Sequence, residues 1–170
     1  MDTQTVKGTQ ESGEESGFDG GKLIQGRKRH IIVDTMGYIL IVLVHAANID
    51  DGHAARKVWT ALFSKRDTVQ KIGADGTYRG EEFIQWVKEQ FDCVLEVVKK
   101  KNTGKGFEVL PRRWVVERTL AWLGRSRRLS KEYERKPTSS ADQVYIASNR
   151  FMLRRLCKER AAGRVILAVP

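Results

Sequence analysis

Apolar residues change their spacing several times along this chain, and each change marks a predicted element. From 38 to 46 nearly every position is apolar and rich in Ile, Leu and Val, with His45 near the end. A short continuous run of this kind predicts a strand covered on both faces of a sheet. Residues 29–33 predict a second strand. Asp34-Thr35-Met36-Gly37 joins the two as a tight turn, with Asp at its first position and Gly at its last. Residues 1–7, carrying Thr3, Thr5 and Val6, predict a further strand whose upstream part is missing.

Helical spacing begins at Ala54 and runs to Phe63, with Asp50 and Asp51 placed to cap it. A second helix is predicted over 80–91, where Phe83, Ile84, Val87 and Phe91 share one face. Strands at 69–74 and 93–98 alternate with these helices. Pro111 is placed to open a third helix in its favoured first turn, continued by Trp114, Val115, Leu120, Ala121 and Leu123. A last helix is predicted over about 139–156. Residues 8–27 are rich in Gly, Ser and acids and are expected to form a flexible loop. Residues 157–170 show no packing pattern and are expected to be a poorly ordered tail. The order predicts an α/β domain over 1–156, a mixed β-sheet flanked by helices on both faces. There is no internal repeat.

Composition adds one strong constraint. The 170 residues are 41% apolar and 31% charged, ordinary values for a globular domain. However, 31 Lys and Arg against 21 Asp and Glu leave a formal charge of +10. Such an excess points to a polyanionic partner, nucleic acid or an anionic membrane surface. The longest apolar run is far short of the roughly 20 residues a membrane span needs, and Asp2, Glu11, Glu14 and Glu15 stand where a signal peptide would be basic and then apolar. Cys93 and Cys157 lie far apart and are expected to be free thiols of a cytoplasmic protein. His30, His45 and His53 make no zinc signature, and His45 reads as a core histidine.

Three acids are candidates for metal chemistry, beside a purely structural reading. Phosphodiester cleavage uses divalent cations that stabilise the attacking and leaving oxygens. Mg²⁺ takes very few protein carboxylates, so its signature is two or three acids on rigid elements. Asp75 ends a buried strand and precedes Gly76, Asp2 lies on the first strand, and Glu117 interrupts an apolar helix face. Arg113, four residues before Glu117, shares that face, either as its ion-pair partner or beside it at a phosphate. Asp34 also ends a strand, but its turn position explains it. Between 99 and 136 thirteen basic residues face four acids, a local excess of +9 that surrounds Glu117 and interleaves with Trp114, Trp122 and Tyr133. Phosphate-backbone binding needs such a cluster.

The stretches Met1-Asp2-Thr3-Gln4-Thr5-Val6-Lys7 and Gly26-Arg27-Lys28-Arg29-His30-Ile31-Ile32-Val33-Asp34-Thr35 resemble bacterial insertion-sequence transposases of the DDE type, the group typified by insertion sequence five. Ala74-Asp75-Gly76-Thr77-Tyr78-Arg79-Gly80 resembles that family's second-aspartate motif. Leu110-Pro111-Arg112-Arg113-Trp114-Val115-Val116-Glu117-Arg118-Thr119, followed by Arg127-Arg128-Leu129-Ser130-Lys131, resembles its glutamate-bearing helix. The likeness runs in the family's order from residue 1 to about 156.

It implies an RNase H-like fold with Asp2, Asp75 and Glu117 as the catalytic triad and as ligands of Mg²⁺ or Mn²⁺. Water would cut one DNA strand, and the freed 3′-hydroxyl would attack another phosphodiester. Arg113 matches the family's arginine. Lys28, Arg29, Arg112, Arg118, Arg125, Arg127, Arg128 and Lys131 are the further DNA-binding candidates. The implied partners are DNA, as insertion-sequence ends and target, and a second copy or a separate N-terminal product. The implied setting is the bacterial cytoplasm, at the nucleoid when bound to DNA.

Two departures bear on activity. The family's N-terminal end-recognition region is absent, so sequence-tolerant binding is expected, from either the second product of a two-frame element or a remnant. The lysine expected seven residues after the glutamate is replaced by Gly124, leaving Arg125 or Lys131 to substitute. The competing expectations are a non-catalytic fragment that binds DNA or a full-length partner, and an RNase H-like nuclease without recombination.

Overall fold

The protein was analysed as a computed structural model that describes residues 1–13, 15–98 and 113–161. Its elements in chain order are β1 (Asp2–Lys7), β2 (Gly17–Asp19), β3 (Ile24–Val33), β4 (Ile39–Ala46), α1 (Asp51–Phe63), β5 (Lys71–Ala74), α2 (Glu81–Phe91), β6 (Val94–Val97), α3 (Arg113–Gly124) and α4 (Pro137–Ala161). The architecture is mixed α/β. Strands β1, β3 and β4 form an antiparallel sheet in which β3 is central, and β2 continues the β4 side of β3. β5 and β6 form a separate parallel pair.

Alternation along the strands divides the core in two. On one face Met1, Ile32 and Ile41 pack with Ala55, Val58, Trp59 and Leu62 of α1 and with Ile72, Val87 and Leu95. Trp59, Phe63 and Phe91 stack inside this layer, with Phe63 and Phe91 centroids 4.4 Å apart. On the other face Ile31, Val42 and Val44 pack with Val116 and Leu123 of α3 and Val144 and Ala147 of α4. β4 contributes to both layers, so its unbroken apolar run is buried on each side, as its pattern predicted.

Local signals close the elements as expected. Asp50 caps α1, its Oδ2 accepting from the backbone nitrogens of Gly52 and His53 at 2.8 and 3.2 Å. Asp34 serves its turn: Oδ1 accepts from Met36 and Tyr38 nitrogens, both at 2.8 Å, while Gly37 takes a φ of 91° that a side chain would resist.

The expected loop over 8–27 differs from the structure. It carries β2 and the first turns of the β3 ladder, with Gly17 opposite Gly26. Asp19 holds this hairpin, accepting from the Thr5 hydroxyl at 2.6 Å and from the Gly21 and Lys22 nitrogens. A Cβ on Gly26 would strike the Val6 carbonyl oxygen, so the crowded crossing of β1 and β3 accepts glycine there. α4 also runs past its expected end at 156, to Ala161. Pro111, Arg112 and residues 162–170 lie outside the described residues. Cys93 and Cys157 are free thiols, and no described helix is long and apolar enough to cross a membrane.

Candidate active site

Asp2 opens β1 opposite Ile31, whose side chain belongs to the layer that packs on α3. Asp2 therefore lies on the α3 side of the sheet. The backbone nitrogen of Thr3 donates to its Oδ1 at 2.8 Å. Asp75 follows the last residue of β5 and begins the short turn Gly76–Tyr78, where its Oδ1 accepts from the Thr77 nitrogen at 2.9 Å. Chain reversal at this point leaves the carboxylate half-exposed at the strand end.

The two aspartates come from different sheets and meet at one seam. The Met1 nitrogen donates to the Gly73 carbonyl at 2.6 Å and so ties the start of β1 to β5. Tyr78, buried below the seam, senses the result. Burial pushes its phenol far up from the usual range, and the negative charges of Asp51, Asp75 and Asp2 push it further. All three carboxylates thus act on the one neutral hydroxyl through their charge.

Asp51 is the member that the sequence reading placed only as a cap. Its Oδ1 lies 2.9 Å from Lys28 Nζ and 3.7 Å from His30 Nε2. The signal was available, because one carboxylate suffices to cap a helix and here two stand in a row.

Glu117 is exposed on α3, beside the buried Val116. The helix is held to the turn after β3 by two side chains. Arg118 Nη2 donates to the Met36 carbonyl at 2.9 Å, and the Thr119 hydroxyl donates to the Gly37 carbonyl at 3.0 Å. The Arg118 guanidinium also lies 4.5 Å from the ring centres of both Trp114 and Trp122. Among the described residues no group of three or more His, Cys, Asp or Glu side chains gathers closely enough to hold a metal. The donor type suits a hard divalent ion, and such an ion is commonly held by one or two carboxylates with water and phosphate. Asp2 and Asp75 are of the type that meets that description.

The expected DNA contacts separate into two kinds. Arg29 is interior: Nη1 donates to the Leu129 carbonyl at 2.9 Å and Nη2 reaches Glu132 Oε2 at 3.0 Å. Lys28 is largely buried against Asp51 and the Ile49 carbonyl. By contrast Arg125, Arg127, Arg128 and Lys131 are exposed, Arg128 paired with Glu134 at 2.6 Å. Arg113 opens α3, and Arg112 lies outside the described residues. His30 and His45 form a buried ring pair with centroids 4.8 Å apart, in keeping with His45 as a core histidine.

Comparison with known proteins gives two findings. The sequence profile of the family described as Transposase DDE domain matches residues 1–147. A Burkholderia cepacia protein, named as a transposase assigned to insertion sequence element IS402, is 30% identical over 118 residues. That alignment covers 65% of this chain and 55% of the relative, so the chain spans about half the length of the curated relative it matches. No solved structure matches.

Proposed function

Since the chain belongs to the transposase DDE-domain family, we propose that it is the catalytic domain of an insertion-sequence transposase, cutting a DNA strand and joining the freed 3′ end to a new phosphodiester. The observation that carries this reading is the Met1–Gly73 hydrogen bond, which ties the start of β1, next to Asp2, to the strand that ends before Asp75. In this reading Asp2, Asp75 and Glu117 are the catalytic acids and the ligands of Mg²⁺ or Mn²⁺. Bound there, a divalent ion supplies Lewis-acid stabilisation of the charge that builds on the phosphate oxygens.

The chain's own groups do the positioning. The Thr77 and Thr3 backbone nitrogens orient the two aspartates through one oxygen each. The neutral Tyr78 phenol and the Met1 side chain beneath them keep the floor of the site apolar and exclude water from it. Arg113 and the exposed Arg125, Arg127, Arg128 and Lys131 supply phosphate contacts, which set affinity and its salt dependence. An RNase H-like arrangement is supported by an antiparallel β4–β3–β1 sheet meeting the parallel β5–β6 pair beside β1, with the glutamate on a later helix.

A second reading is favoured by one observation, that no group of three or more metal-ligating side chains gathers among the described residues. In that reading the chain binds DNA, or a longer transposase, without cutting. Nicking of supercoiled plasmid in Mg²⁺ or Mn²⁺ separates the two. The wild type is expected to nick only with metal, and Asp75→Asn to lose nicking while keeping its melting temperature. Equal nicking by both proteins would remove Asp75 from the site. A folded wild type that never nicks would establish the second reading.

A further inference from the structure

A groove of about 1480 Å³ runs between α3 and the C-terminal half of α4, beside the turn after β3. Most of its α4 wall lies beyond residue 147, where the family match ends. We propose that this groove binds single-stranded DNA, phosphates along α4 and unpaired bases against the apolar floor. The proposal rests on the DNA-processing reading above, and adds to it a surface separate from the aspartate seam.

Charge states the kind of partner. Arg118, Arg125, Arg150, Arg154, Arg155 and Lys158 line the groove, and the acid among its described lining residues, Glu159, is already paired with Arg155 at 2.9 Å. Arg150, Arg154 and Lys158 are exposed and stand four residues apart, which places a cation about every 6 Å along one helix row. Like charges at this spacing repel one another. A polyanion laid along the row relieves that repulsion.

The apolar content chooses between forms of DNA. Ile146 and Leu153 are 59% and 61% exposed on the same stretch of α4. Trp122 and Phe151 lie half-buried beside them, ring centroids 6.4 Å apart. A duplex offers its phosphates to the arginines but keeps its bases stacked inside. A single strand can satisfy both, its bases covering apolar and aromatic surface while its backbone follows the cations. An acidic protein segment would answer the charge, but its side chains would offer the aromatic floor no stacking face.

Fluorescence anisotropy in EDTA tests this without catalysis, using a labelled 20-nucleotide thymidine strand and a 20-base-pair duplex. The wild type should bind the strand more tightly than the duplex. The triple variant Arg150→Gln/Arg154→Gln/Lys158→Gln should bind the strand at least about tenfold more weakly, and its slope of log affinity against log salt should fall by about 2, the loss of three phosphate contacts. Arg150→Lys/Arg154→Lys should keep the wild-type slope, and Leu153→Ser should weaken strand binding but leave duplex binding unchanged. An unchanged slope in the triple variant overturns the proposal, as does a wild-type preference for duplex. Displacement of the strand by polyglutamate as readily as by unlabelled DNA also overturns it, in favour of an acidic protein partner. Plasmid nicking keeps the two readings apart. A shifted slope without metal-dependent nicking leaves the groove standing and removes the catalytic reading; nicking with an unshifted slope does the reverse.

Discussion

Glu132→Ala is expected to destabilise the protein by about 3–5 kcal/mol, the cost of leaving buried charge uncompensated. Glu132 is fully buried and faces two buried guanidinium groups. Its Oε2 accepts from Arg29 Nη2 at 3.0 Å and from the Ser140 hydroxyl at 2.9 Å. Its Oε1 lies 3.6 Å from Arg27 Nη1, an ion pair beyond hydrogen-bond length. Arg27 would still donate to the carbonyls of Glu15, Glu134 and Arg135, so its geometry would persist while its charge lost its neighbour. Against a typical total stability of about 5–15 kcal/mol this loss is large. Thermal denaturation should show a midpoint roughly 6–20 °C lower. Glu132→Gln, which keeps the hydrogen-bonding shape and removes the charge, should fall between. A melting temperature for Glu132→Ala within about 2 °C of the wild type, less than even 1 kcal/mol would produce, would show that the cluster contributes little.

Acidification should weaken the fold in a window set by His30. Burial, followed by the neighbouring His45 and the positive Lys28, lowers its pKa from 6.5 to about 3. The Asp51 carboxylate is 3.7 Å away but is already engaged by Lys28. Neither ring nitrogen has a hydrogen-bond partner among the described residues, so the charged ring would gain no hydrogen bond to offset its burial. The sign follows from proton counting. An unfolded chain takes up this proton as pH falls through 6.5, whereas the folded chain resists until about 3. Stability is therefore complete above 6.5 and declines on the way down, by roughly 2–3 kcal/mol at pH 4.5. His45, also lowered by burial, acts in the same direction. Melting curves between pH 7 and 4.5 should show this decline in the wild type and much less of it in His30→Leu. Parallel declines in both proteins would assign the effect elsewhere.

Much of the fold was legible because its signals are local. The two-faced apolar run of β4, the Asp34–Gly37 turn and the Asp50 cap depend on neighbours within a few residues, and each formed as read. β2 was not legible. Its glycines and acids look like a loop, and it becomes a strand through partners five to nine residues away and through Asp19 reaching Thr5. The interior charge cluster was not legible for a related reason. A count along the chain treats all charges as surface, yet Glu132 is interior and Arg29 is turned inward to meet it. Asp75 could be singled out by its strand end and following glycine. Asp2 and Glu117 were candidates from their places on a strand and an apolar helix face, and the family resemblance supplied their roles. That Asp51 joins the seam depends on Lys28 and Tyr78, which are distant in the chain.

The bond from Met1 to Gly73 spans 72 positions of chain, while β1, β3 and β4 pair with strands close by in sequence. Short-range pairings close with little loss of chain entropy, and distant ones must wait until something else has brought their ends together. The meander of β1, β3 and β4 can therefore zip up early, with β5 docking against it afterwards. Asp2 belongs to the early part and Asp75 to the late one, so the pair comes into register at the closing step of assembly. The same seam is then expected to be the first to part when the native state opens locally. Amide hydrogens of β5 and β6 should accordingly exchange faster than those of β3, even though all three strands carry buried residues.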